Sequence, residues 1–202
     1  GLATALFGGA MVIPLGPGFA QDSLGAVTDA AYGWLMFALG TGVALGIISV
    51  GLVQRSLPKG LVFASSILAG GVALILAAAS SSLVLATVFV AILGLCAGAT
   101  YVLAMTLLHE MVGDELRGRV FATFFTLIRT CVLFAMVIAP LLGGVLDRML
   151  PDTITVLGGT IVLTDERLAL MTGGVIVVMG GVIAATSLRA GQRQDEIERL
   201  AS

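Results

Sequence analysis

Charge is what this sequence has least of. Only 11% of its 202 residues are Asp, Glu, Lys or Arg, while 58% are hydrophobic. Soluble domains carry roughly 25% charged residues. A soluble fold has no place for so much apolar surface, so the composition points to an integral membrane protein. Cysteine is scarce too: Cys96 and Cys131 both fall in apolar runs, where a thiol acts as a small packing residue. That leaves no disulfide framework and no metal site to read. No basic run or aromatic-interleaved basic patch suggests a nucleic-acid partner, and the net charge of −2 averages over two sides of a bilayer. A Ser/His/Asp set, metal-ligand spacing and a phosphate loop are all missing, so neither an enzyme nor a cofactor is expected. The opening apolar run has no basic region or small-residue cleavage site before it, so it is not a signal peptide. The chain begins inside that run at Gly1, and an internal start of a longer protein is expected.

What the chain has is apolar length. Six segments stand out, at about 2–21, 31–54, 61–79, 83–108, 119–146 and 168–188. Each meets the roughly 20 residues needed to cross a hydrocarbon core of about 30 Å. The predicted fold class is an all-α integral membrane protein with a six-helix bundle at 1–188. A charged tail follows at 189–202.

The connections predict orientation. The stretch 22–30 has Asp22 and Asp29 and no base, and 80–82 is three serines. The 55–60 connection carries Arg55 and Lys59, the 109–118 connection carries Arg117 with Arg119 just beyond, and the tail carries Arg189, Arg193 and Arg199. By the positive-inside rule these basic connections and both ends are expected on the cytoplasmic side of a cell membrane. Arg148 and Arg167 fall on the opposite side. There, "TITVLGGTIVLT" alternates β-branched and apolar residues around Gly158-Gly159, which predicts a small external β-hairpin near 153–164 with a tight primed turn.

Individual segments carry further signals. "GGAMVIPLGPGFA" in the first places Pro14 and Pro17 where each removes a backbone donor, predicting a helix break or hinge. In the second, Gly42 and Gly46 form a small-xxx-small pair suited to close helix packing. In the fourth, Thr87, Gly94, Gly98, Tyr101 and Met105 share a narrow arc, fit for tight packing or for a pocket with mixed polar and apolar walls.

The fifth segment carries Thr126, Arg129, Thr130, Leu133, Val137, Pro140 and Gly144 within about 100° of circumference. Arg129 lies about 15 Å deeper than Arg119 at 1.5 Å per residue. An arginine at mid-bilayer costs at least about 2.5–3.5 kcal/mol. It is expected to face a water-filled cavity or an acidic partner, or else to reach headgroups from a helix that starts obliquely on the membrane surface. Arg129, Thr126, Thr130, Tyr101 and Met105 are the candidate cavity residues.

Two stretches then carry a resemblance: "LGAVTDAAYGWLMFALGTGVALGIISVGLVQR" and "GDELRGRVFATFFTLIRT". They resemble the C-terminal half of a major facilitator superfamily transporter, of the bacterial drug- and siderophore-exporter branch, over essentially all 202 residues. The resemblance implies helices seven to twelve of a twelve-helix protein with a midplane cavity. Residues 1–79 and 83–188 would then be two inverted three-helix repeats, and a missing N-terminal six-helix half the partner. It further implies that Asp114, Glu115, Arg117 and Arg119, with Arg55 and Lys59, belong to a cytoplasmic gate, or else form a solvated anchor cluster. Two positions depart from the family pattern: Gln54 stands where an acid usually precedes the base, and Val112-Gly113 stand where a proline often precedes "RGR". The charge-relay role of that acid is therefore not carried over.

The function so implied is secondary active export of a small amphipathic substrate by alternating access, with proton antiport as the coupling. The competing reading is a membrane anchor or scaffold for a soluble domain beyond residue 202.

Overall fold

In the computed structural model of the chain, the described residues are 2–19, 30–53, 59–113, 116–149, 153–156, 159–162 and 165–201. Among these residues seven helices run in order: α1 (Leu2–Ala10), α2 (Val12–Gly18), α3 (Ala30–Val53), α4 (Lys59–Ala79), α5 (Leu83–Met111), α6 (Arg117–Met149) and α7 (Asp165–Ala201). Two short strands, β1 (Thr153–Val156) and β2 (Gly159–Val162), lie between α6 and α7. Among the described residues five helices contain stretches long and apolar enough to cross a membrane: Ala30–Gly51, Lys59–Ala79, Leu83–Glu110, Gly118–Leu142 and Glu166–Ser187. The chain is thus a multi-pass helical membrane protein. Its exposed faces match that setting, with Trp34 at 61%, Phe37 at 63% and Val84 at 72% exposure.

The first apolar segment is interrupted at Met11, which separates α1 from α2. Pro14 explains the position. Its ring nitrogen cannot donate to the carbonyl four residues back, and its ring crowds that carbonyl, so the ladder fails one turn earlier. Met11 N–H instead donates to Gly8 O at 3.3 Å, and Leu15 N–H to Met11 O at 3.3 Å. Met11 keeps right-handed helical dihedrals (φ −61°, ψ −21°), so the ladder is broken without reversal of the chain. Pro17 lies inside α2, and Phe19 continues helically beyond it.

In space the helices adjoin in the order α3, α5, α4, α7, α1, α6, with α6 also against α7 and α2 against α6 and α7. The crossings are made by glycines. A Cβ on Gly42 would fall on the Ala91 carbonyl and one on Gly46 on the Leu95 carbonyl; reciprocally, Gly94 abuts the Leu39 carbonyl and Gly98 the Val43 carbonyl. The small-xxx-small pair of α3 therefore interlocks with the equivalent pair of α5, two backbones in contact with no side chain between them. This close packing uses up the glycine half of the α5 arc.

Gly71 of α4 and Gly174 of α7 abut each other in the same way, each Cβ position 3.1 Å from the other's carbonyl oxygen. Gly8 of α1 lies against the Gly173 backbone of α7. Around these crossings sits a core rich in small residues, with Ala78, Ala86, Ala135, Ala139 and Ala169 fully buried beside Met11 and Leu74.

The two ends of the bundle are pinned differently. At one, Arg167 is 3% exposed and donates from Nη2 to the Ser80 carbonyl at 2.8 Å. That carbonyl lies just past the C-terminus of α4, where an unmatched acceptor and the negative end of the helix dipole favour a cation. Ser80 Oγ donates to Leu76 O at 2.7 Å, so the serine side chain completes the same helix end. Arg167→Met is expected to cost about 1.5–3 kcal/mol, the worth of a buried charge-assisted hydrogen bond. Thermal unfolding in detergent would read the loss; an unchanged midpoint would remove the pinning role.

The strands pair antiparallel as Thr153↔Val162, Ile154↔Ile161, Thr155↔Thr160 and Val156↔Gly159. Gly159 is therefore a strand residue rather than a turn residue, and residues 157 and 158, which fall between the strands, lie outside the described residues. At the far end, α7 runs helically to Ala201, so the charged tail is part of that helix.

Candidate functional site

The C-terminal half of α5 forms one wall of an open cleft. Tyr101, Val102, Met105, Thr106, His109 and Glu110 line it, and its volume is about 450 Å³. These positions recur at the three- and four-residue spacing of one helix face, so the wall is a direct product of α-helical period. Most of its polar atoms are already used within the helix. Thr106 Oγ1 donates to Val102 O at 2.9 Å, and His109 Nδ1 lies 2.8 Å from Met105 O, which places the imidazole proton on Nδ1. Among the described residues the Glu110 carboxylate is the one formal charge on the wall, and it is ion-paired to Lys59 Nζ at the start of α4. Both partners are well exposed, at 35% and 49%, so the pair contributes only about 0–1 kcal/mol and can open.

His109 also stacks on Phe121 of α6, with ring centroids 4.6 Å apart at 58°. This contact sits close to the short connection between the two helices. Along their lengths α5 and α6 are not a packed pair. Tyr101 lies about 15 Å along α5 from the connection and Arg129 about 18 Å along α6, so the two reach similar depth.

Arg129 is exposed, as are Thr126 and Thr130. At 100° per residue Arg129 lies about 80° around α6 from Phe121, on the flank of the packed face, while Thr130 points to the opposite side. Thr126 Oγ1 donates to Ala122 O at 2.8 Å. The whole arc with Arg129, Leu133, Val137 and Pro140 is uncovered, whereas Phe124, Ile128, Val132 and Ile138 are half-buried and Ala135 and Ala139 buried. Among the described residues Arg129 has no acidic partner. It stands within one residue of the middle of the Gly118–Leu142 span.

The gate candidates divide in three. Arg55, Asp114 and Glu115 lie outside the described residues. Arg117 begins α6, and Arg119 is exposed two residues before Phe121. Lys59 is engaged, and its partner Glu110 is the residue that sequence reasoning left out. The signal was present: Glu110 ends an apolar run as Lys59 opens one, and with the predicted topology both fall on one side. Nothing in the sequence fixed their distance, since 51 positions separate them. Arg167 was counted for orientation only; its burial depends on α4 and α7 meeting.

A second, smaller hollow of about 360 Å³ lies beside Ala30, Gly33, Trp34 and Phe37 at the other end of α3. Among the described residues no group of three or more His, Cys, Asp or Glu could hold a metal ion. No family model matches the sequence, and no curated protein is similar to it.

Proposed function

We propose that this chain is one half of a secondary active transporter that exports small amphipathic molecules by alternating access, coupled to protons. One observation carries the reading. Arg129 stands uncovered at mid-span on the helix whose span is least buried, at 11%. A guanidinium facing hydrocarbon costs at least about 2.5–3.5 kcal/mol. The cost is relieved where water in a cavity, or an acid of a second bundle, covers that face.

The adjacency order adds support for two inverted three-helix repeats. Exchange of α1 with α5, α3 with α6 and α4 with α7 turns the order α3, α5, α4, α7, α1, α6 into its own reverse. The α6–α7 contact has no counterpart between α3 and α4. The order leaves α3 and α6 at its two ends, each presenting an uncovered face to the missing N-terminal half. The interrupted α1–α2 segment fits a helix that flexes during access changes.

The test is uptake of an amphipathic dye into inside-out vesicles containing the complete protein, driven by an imposed pH gradient. Gradient-dependent accumulation supports the proposal; none, with correctly inserted protein, overturns it. A second reading, an anchor for a soluble domain, is favoured by one feature. Helix α7 continues to Ala201, about 21 Å past the Glu166–Ser187 span. Under that reading the vesicles stay inert and Arg129 is dispensable.

A further inference from the structure

The uncovered face of α6 holds a second polar point besides Arg129. Pro140 lies inside α6 and has no N–H, so the Met136 carbonyl loses its helical donor. Met136 follows Arg129 by seven residues, about 10 Å further along the axis and within about 20° around it. Both residues are exposed, Met136 at 47%. Pro14 makes the contrast. There the helix is interrupted, and the carbonyl that loses its donor belongs to the buried Ala10. At Pro140 the helix runs on, and the freed acceptor belongs to an uncovered residue.

We infer that this face docks a transmembrane helix of the second bundle with polar groups at two points. One is a carboxylate opposite Arg129. The other is a hydrogen-bond donor, a hydroxyl or an amide, two turns away opposite the Met136 carbonyl. The inference names the partner of the face on which the transport reading rests, and it rests on that reading.

The strip between the two points selects a helix over water. Leu133 and Val137 occupy it, 64% and 63% exposed and wholly apolar. Cavity water would satisfy the ends and wet this strip for no return. Hydrocarbon would cover the strip and leave a guanidinium and a free carbonyl unmatched, which membrane interiors tolerate only against protein or water. A neighbouring helix meets all three demands, with small or apolar residues on Leu133 and Val137 and a polar side chain at each end. Helices crossing near 20° stay in contact over two turns, so residues seven apart share the seam. This bundle supplies no such helix. Among the described residues Arg129 has no acidic partner, and Glu110 and Glu166 stand at helix ends. The partner is therefore a membrane segment with Asp or Glu and Ser, Thr, Asn or Gln seven positions apart.

The test uses the complete protein without dye, with photoreactive p-benzoylphenylalanine in place of Leu133 or of Val137. After irradiation the adducts are mapped by mass spectrometry. The expected adduct lies on a transmembrane segment outside residues 1–202 that has this acid-and-donor spacing. Arg129→Glu is expected to cut the yield of folded, monodisperse protein about tenfold, and changing the partner acid to Arg as well restores it to within about twofold. Removing the partner's donor is expected to lower the unfolding midpoint by about 2–4 °C. In Pro140→Ala, where Met136 regains its helical donor, the same removal has no effect.

Adducts on lipid alone, on a segment without a carboxylate, or on a second copy of residues 1–202 overturn the inference. So does ready labelling of cysteines at 133 and 137 by an impermeant thiol reagent, which would make the face a water-filled wall. An acid exchange that restores nothing overturns the pairing at Arg129. The adducts are collected with Arg129 intact, so they identify the partner even where Arg129→Glu does not fold. The expected adduct in a protein without pH-driven dye uptake keeps the interface and removes the transport reading. Uptake with adducts on lipid alone does the reverse.

Discussion

Gly46→Ala is expected to destabilise the protein by more than most single methyl groups can, while Gly40→Ala six residues earlier leaves stability intact or raises it. Both glycines belong to α3, and helix propensity favours alanine over glycine by about 1 kcal/mol. Their surroundings differ. A Cβ at Gly40 meets nothing within 4 Å, whereas one at Gly46 overlaps the Leu95 carbonyl and approaches its Cα to 3.0 Å. That neighbour is backbone of α5, so no side chain can swing aside.

The helices must separate, and separation also parts Gly42 from Ala91, Gly94 from Leu39 and Gly98 from Val43. Overpacking costs typically about 1–3 kcal/mol, and a rigid carbonyl puts Gly46→Ala at or above the top of that range. Gly46→Leu should prevent α3 from docking at all. Detergent unfolding midpoints for the two alanine variants decide it. Equal shifts of the same sign would mean that the α3–α5 crossing does not set stability.

That crossing also shows where sequence reading succeeds for such a chain. Apolar length located five of the six expected segments as helices long enough to span a membrane, the first being broken at Met11, and the small-xxx-small spacing of Gly42 and Gly46 marked a packing face. Both signals are local. Alternation around Gly158-Gly159 likewise located the strand pair, with its register set one residue differently from the turn first drawn.

What stayed illegible is which helix meets which. In water, burial sorts apolar from polar residues around a helix and so marks its inner face. In a bilayer the outer face is apolar too. Leu133 and Val137 are therefore exposed on α6 while Val132 and Ala135 pack, with no polarity contrast to announce it. Only residue size separates the faces, as the fully buried Ala135 and Ala139 illustrate. Glu110 and Lys59, or Arg167 and Ser80, meet only because those faces have already been chosen. The candidate site was half legible for the same reason: Tyr101 and Met105 were marked by their arc, while Glu110, ion-paired to Lys59, stands at a helix end that the sequence reading passed over.

Arg129→Ala is expected to reduce pH-driven dye uptake about tenfold or more while the protein inserts as well as before. The two halves of that statement have one cause. Arg129 is uncovered within one residue of the middle of its span, so its removal relieves an insertion cost of at least about 2.5–3.5 kcal/mol. Under the proposed transport reading, a residue that burdens insertion and makes no ion pair among the described residues is offset by a second bundle or by cavity water.

Arg129→Lys separates these. A carboxylate that needs only a positive charge accepts lysine, whereas a bidentate contact does not. Accessibility gives the independent check. A cysteine at position 129, in the complete protein with Cys96 and Cys131 replaced, would be challenged with an impermeant thiol reagent from each side. Labelling that switches sides when dye is added places Arg129 in an alternating-access cavity. Labelling from the cytoplasmic face alone, indifferent to dye, would mean that the start of α6 lies along the headgroups, with Arg117, Arg119 and Arg129 as anchors. Transport by well-inserted Arg129→Ala at the wild-type rate would then follow, and the anchor reading would replace the transporter.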